Sequence, residues 1–102
     1  LPAKSIRAYH LYFPDPWPKK RHHKRRLVNQ EFVSEIERTL VTNGRFWLAT
    51  DHSDYFHFIL EVLSLFPSLR EVDVEWTGIP TNYEEKFRGR GLLINRRVVE
   101  RT

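Results

Sequence analysis

The 102-residue chain has no cysteine. That excludes a disulfide framework and any thiolate metal site, and it suits a reducing compartment. No apolar run approaches the roughly 18 residues that a membrane-spanning helix needs, and no signal peptide is visible, so the chain reads as soluble and cytoplasmic. Glycine is scarce. The four glycines, Gly44, Gly78, Gly89 and Gly91, nowhere form the glycine-rich turn that nucleotide-binding doubly wound domains usually carry after their first strand. Either the cofactor-binding half lies outside this chain or there is no cofactor. Internal repeats, low-complexity segments and dividing linkers are also missing, so residues 1–102 make at most one domain, or part of a larger one.

What is present is positive charge and aromatic residues. The formal net charge is +4, with 40% hydrophobic and 14% aromatic residues, the composition of a foldable chain whose natural partner is a polyanion. The charge is concentrated. Lys19, Lys20, Arg21, His22, His23, Lys24, Arg25 and Arg26 follow one another without an acid, directly after "FPDPWP", where a lone carboxylate, Asp15, stands between two prolines.

Ile6 to Phe13 is rich in apolar and aromatic residues and ends at Pro14, which predicts a strand delivering Asp15 at its carboxyl end. From Val28 to Val41, apolar residues four apart (Val28, Phe32, Ile36, Leu40) predict an amphipathic helix closed by Asn43 and Gly44, residues that tolerate the left-handed conformation. "RFWLAT", Arg45 to Thr50, predicts a buried parallel strand that also ends at an acid, Asp51. Ser53 and Asp54 are helix-capping types, and Tyr55 to Phe66 predicts a second helix stopped by Pro67. Strands are expected over Leu69–Trp76 and Leu92–Glu100, separated by a loop rich in punctuating residues. Alternation of strand and helix predicts an α/β fold with parallel crossovers, whose ligands bind at the carboxyl ends of the strands. Asp15 and Asp51 both fall at such ends.

"FPDPWPKKRHHKRR" resembles the signature of the bacterial tRNA (guanine-N7)-methyltransferases, and the likeness continues through "ATDHSDYFHFILEVL" and "TNYEEKF". It implies the C-terminal half of a Rossmann-like class I methyltransferase sheet with flanking helices and an antiparallel last strand. The cofactor would be S-adenosylmethionine, with its main binding motif upstream, and the partner would be tRNA. The strand over residues 6–13 would then be central in a larger sheet. Alone, it would expose one edge and leave Tyr9, Leu11 and Phe13 uncovered, so the chain is expected to self-associate through that edge.

The same resemblance makes Asp15 the catalytic residue beside the methyl donor. Its bland counterpart is a turn in which Asp15 caps its own backbone. Lys19 and Arg21 would act at the guanosine, and Arg21 to Arg26, including His22, Lys24 and Arg25, would meet the RNA, as the basic run on its own also proposes; a solvated loop is the alternative. Asp51, Thr81 and Glu84 match positions that hold the Watson–Crick edge of guanine, with Asn82 and Tyr83 between them, although Asp51 is equally placed to cap the helix after it. The His pair lacks a third ligand at metal-binding spacing, so no metal is expected. His10, His52 and His57 are assigned to packing or surface. A non-catalytic RNA-binding module is the second reading. An adenine amino-methyltransferase, whose motif has two prolines between the polar residue and the aromatic, fits less well, since only Pro16 separates Asp15 from Trp17.

Overall fold

The computed structural model describes residues 2–74 and 94–102. Four strands, β1 (Ile6–Tyr12), β2 (Leu40–Thr50), β3 (Leu69–Glu71) and β4 (Asn95–Arg101), and two helices, α1 (Gln30–Thr39) and α2 (Ser53–Leu63), alternate along the chain until β3. The sheet order is β1-β2-β4-β3. β1 and β2 are parallel, joined through α1 as a crossover. β4 enters between β2 and β3 and is antiparallel to both. This is the mixed α/β sheet with an antiparallel last strand expected from the sequence.

α1 forms where the apolar residues recur at helical spacing, and its start is set by chemistry. The Asn29 side chain accepts from the Phe32 N–H at 2.8 Å, an N-cap that leaves Val28 outside the helix. Val33 and Ile36 are buried. The helix stops at Thr39, whose hydroxyl donates back to the Glu35 carbonyl at 2.7 Å, two residues short of the expected Val41. Leu40 is instead taken into the sheet opposite Ile6; pairing with β1 and complete burial of the leucine outweigh continued helix. Asn43 and Gly44, expected to close the helix, therefore sit inside β2. Asn43 does adopt the left-handed conformation, φ 68°, at the point where the register jumps from Ile6↔Leu40 to Ala8↔Arg45. A side chain at Gly44 would meet the Val41 carbonyl at 2.8 Å and the Arg7 carbonyl at 3.2 Å, so the irregularity needs glycine.

α2 starts at Ser53, capped by His52, whose Nδ1 accepts from the Tyr55 N–H at 3.1 Å. His52 is thus a cap rather than a packing or surface residue. The helix ends at Leu63, ahead of the expected Phe66. β3 is shorter than the expected Leu69–Trp76, and residues 75–76 and 92–93 of the expected strands lie outside the described residues.

Both helices pack on one face of the sheet. Val33, Ile36, Tyr55, Ile59 and Leu63 form one cluster with Phe46, Leu48, Leu69 and Val99, each fully buried aliphatic or aromatic side chain contributing about 1.5–3 kcal/mol. Tyr9 and Leu11 pack against this same cluster, which corrects the expectation that they would be uncovered. The alternate residues face the other way: His10 stacks on Trp47 with ring centroids 5.9 Å apart and hydrogen-bonds the Tyr12 hydroxyl at 2.7 Å. Among the described residues β1 pairs only with β2, so it stands at an edge of the described sheet.

Candidate functional site

Parallel pairing determines where the two strand-end acids go. Tyr12 lies opposite Ala49, and the Phe13 N–H donates to the Ala49 carbonyl at 2.8 Å. The chain leaves β1 and β2 at the same end of the sheet, so Asp15 and Asp51 emerge together at the carboxyl edge.

The loop that carries Asp15 is tightly constrained. Prolines at 14, 16 and 18 limit its backbone, and two residues with side chains, Phe13 (φ 54°) and Trp17 (φ 42°), are held in the left-handed region, each at a cost of roughly 1–3 kcal/mol. Asp15 is exposed, and its Oδ1 accepts from the Trp17 N–H at 3.1 Å. The turn-capping geometry is therefore real, but it uses one carboxylate oxygen. Oδ2 makes no hydrogen bond among the described residues, so capping and chemistry are compatible in one side chain.

Lys20 to Arg25 form a 3-10 turn folded onto the loop. The His22 N–H donates to the Lys19 carbonyl at 2.8 Å, His23 Nε2 lies 3.2 Å from the Pro18 carbonyl, and the Arg26 N–H donates to the His23 carbonyl at 3.1 Å. Trp17 is the centre of this packing, with His22 edge-on at 5.6 Å and the Arg25 guanidinium 5.2 Å from its ring. Lys19, Lys20, Arg21, Lys24 and Arg25 stay exposed, His22 and His23 are half-buried, and Arg26 is buried. The run is thus a structured cationic surface rather than a loose loop, with its last member turned inward.

Two contacts with α2 close the far end. Arg26 Nε donates to the Pro16 carbonyl at 2.6 Å and its terminal nitrogen to Asp54 at 3.2 Å. The Val28 N–H donates to the Tyr55 hydroxyl at 3.0 Å. Burial pushes the Tyr55 phenol above its ordinary pKa, against the Val28 N–H, which alone would lower it. The sequence pattern placed Tyr55 on an apolar helix and gave no sign that its hydroxyl holds Val28, or that Asp54 faces Arg26. With the cap supplied by His52, Asp51 is exposed and takes no part in capping α2. Thr81, Asn82, Tyr83 and Glu84 lie outside the described residues. Two clefts bordered by β3 and β4, the larger of about 370 Å³, are not lined by Asp15, Asp51 or the basic turn.

The described residues thus place a strand-end carboxylate beside an ordered cationic turn at one edge of an α/β sheet. The family model described as "Putative methyltransferase" matches residues 1–95, and the chain belongs to this methyltransferase family. Curated relatives are more specific. The tRNA (guanine-N(7)-)-methyltransferase of Neisseria meningitidis serogroup B (strain MC58) is 44% identical over 88 residues, 85% of this chain and 37% of its own length. Proteins with the same name from Nitrosospira multiformis (44% identical over 100 residues, 96% of this chain and 43% of that one) and Corynebacterium diphtheriae (38% over 96 residues, 90% and 37%) are also similar. The chain spans about two fifths of the length of these relatives.

Proposed function

We propose that the protein containing this chain transfers a methyl group from S-adenosylmethionine to N7 of a guanine in tRNA, in the cytoplasm, with this chain forming the guanosine and RNA side of the site. The observation that carries the reading is the convergence of Asp15, Asp51 and the exposed cationic turn on one end of the sheet. S-adenosylmethionine would supply an electrophilic methyl group. Asp15, at the carboxyl end of β1, would face it. The loop after β1 is built of prolines and aromatics, and Gly44, the one described glycine, is packed in the β2 irregularity, so the described residues offer no glycine-rich cradle for the rest of the cofactor.

At neutral pH guanine N7 already presents a lone pair, so no general base is required; placement is the main demand, an effect that accounts for several kcal/mol of barrier. As the new bond forms, positive charge develops on the purine, and a carboxylate already oriented by the Trp17 N–H stabilises that charge without rearranging. Asp51, with Thr81 and Glu84, would accept from guanine N1–H and N2–H₂, Asn82 and Tyr83 lending backbone or stacking surface. Lys19 and Arg21 would contact the guanosine, and His22, Lys24 and Arg25 the RNA backbone. We also propose that residues 1–102 alone self-associate through the free edge of β1.

Single-turnover methylation of tRNA by the complete protein tests the function. Wild-type protein should form N7-methylguanine. Asp15→Ala should lower the rate at saturating tRNA by about 10²-fold or more with little change in tRNA affinity, because the interaction removed belongs to the transition state. An unchanged rate returns Asp15 to turn-forming alone, and tRNA binding without any methyl transfer favours the RNA-binding module.

A further inference from the structure

Arg26 completes the basic run but behaves unlike the rest of it. It is only 3% exposed, and a buried cation persists only when its charge and its N–H groups are matched. Both conditions are met by this chain itself. Nε donates to the Pro16 carbonyl at 2.6 Å, a terminal nitrogen donates to Asp54 at 3.2 Å, and the guanidinium lies over the rings of Tyr55 at 4.8 Å and Phe58 at 5.2 Å. The neighbouring Arg25 is exposed, so the inward turn belongs to one residue and not to the segment.

The loop explains what such a residue is for. Residues 13–18 contain two left-handed side-chain-bearing positions and three prolines, a conformation that survives only if its surroundings enforce it. One enforcing contact is the Phe13 N–H on the Ala49 carbonyl. Another is Arg26 on Pro16, the residue immediately after Asp15. We propose that Arg26 is a positioning residue: it ties the Asp15 loop to the amino end of α2 and so holds the carboxylate in place for methyl transfer, instead of meeting an RNA phosphate. Only a planar guanidinium reaches a carbonyl and a carboxylate at once while lying over aromatic rings; an ammonium keeps the charge and forgoes the fork.

This inference rests on the functional reading above, and its test separates the two. In the complete protein, Arg26→Lys and Arg26→Ala are compared with Lys24→Ala, an exposed member of the run, by single-turnover methylation per folded enzyme at saturating tRNA and by tRNA affinity at several salt concentrations. Arg26→Lys should slow methylation by about tenfold or more with an unchanged salt slope, and Arg26→Ala should slow it further. Lys24→Ala should flatten the slope by about one unit. A flattened slope with an intact rate in Arg26→Ala, or wild-type rates in both Arg26 variants, overturns the proposal. If Arg26→Ala does not fold, Arg26→Lys decides. Loop order is read independently of activity from the ¹⁹F resonance of 5-fluorotryptophan at Trp17, assigned with Trp17→Phe. It should shift or broaden in Arg26→Lys. If wild-type protein fails to methylate guanine, the functional reading falls, and an unmoved Trp17 resonance would then overturn the clamp as well.

Discussion

Tyr55 illustrates how much one side chain can organise. It is fully buried, its ring supports the Arg26 guanidinium, and its hydroxyl accepts from the Val28 N–H at 3.0 Å. Tyr55→Phe keeps the ring but leaves a buried N–H without a partner, so the variant should be less stable by about 1–3 kcal/mol in urea unfolding. The pH dependence follows from burial of the same hydroxyl, which outweighs the opposing Val28 hydrogen bond. Burial raises the folded-state pKa of Tyr55 above the unfolded value of about 10, so its contribution is fully present below about pH 10 and fades as pH rises through the folded pKa. Urea midpoints measured at about pH 8 and about pH 11 should therefore converge between wild type and Tyr55→Phe at the higher pH; an equal gap at both pH values would remove the phenol from this role.

At the scale of elements, the 3-10 turn and α2 act as a pair. The turn presents its cations outward because its inner side is occupied by Trp17 and by the contact of His23 with the Pro18 carbonyl. Charges fixed on an ordered surface meet consecutive phosphates at defined spacing, and each phosphate neutralised releases counterions. Replacing Arg25 together with Lys20 by alanine should weaken tRNA binding and reduce the log–log salt slope by about one unit for every phosphate that the variant no longer neutralises. Filter-binding titrations from low to high salt measure this, and a slope equal to that of wild type would mean the turn is merely solvated. Helix α2 contributes by holding Asp54 and Tyr55 in its first turn, where His52 caps the backbone. Its position is thus coupled to the site although no residue of α2 needs to touch RNA.

For the whole molecule, the edge position of β1 in the described sheet is the decisive feature. β1 pairs with β2 alone among the described residues, and an edge strand is a template for another strand. On the face away from the helices, His10 lies against both Tyr12 and Trp47. The 102-residue chain by itself should therefore sediment as dimers or larger species at micromolar concentration and bind S-adenosylmethionine weakly or not at all, as no glycine-rich turn follows β1. Sedimentation velocity and titration calorimetry check both; a stable monomer with micromolar cofactor affinity would contradict the half-sheet reading.

Much of this was determined by local chemistry and could be read in order along the chain. Apolar spacing at Phe32, Val33 and Ile36 specifies an amphipathic helix, Pro14 ends β1, and the unbroken run from Lys19 to Arg26 marks an anionic partner, because propensity and net charge act over a few residues. Tertiary contacts decided the rest. Leu40 could extend α1 or enter the sheet, and pairing with Ile6 chose the sheet. Asp51, Ser53 and Asp54 are the capping types in the sequence, yet the folded chain leaving β2 makes His52 the cap of α2. Arg26 is indistinguishable from Arg25 in sequence, yet Arg25 faces solvent and Arg26 is enclosed by Pro16, Asp54, Tyr55 and Phe58. Three of those partners belong to α2, beyond a helix and a strand in the chain, and only folding brings them within reach.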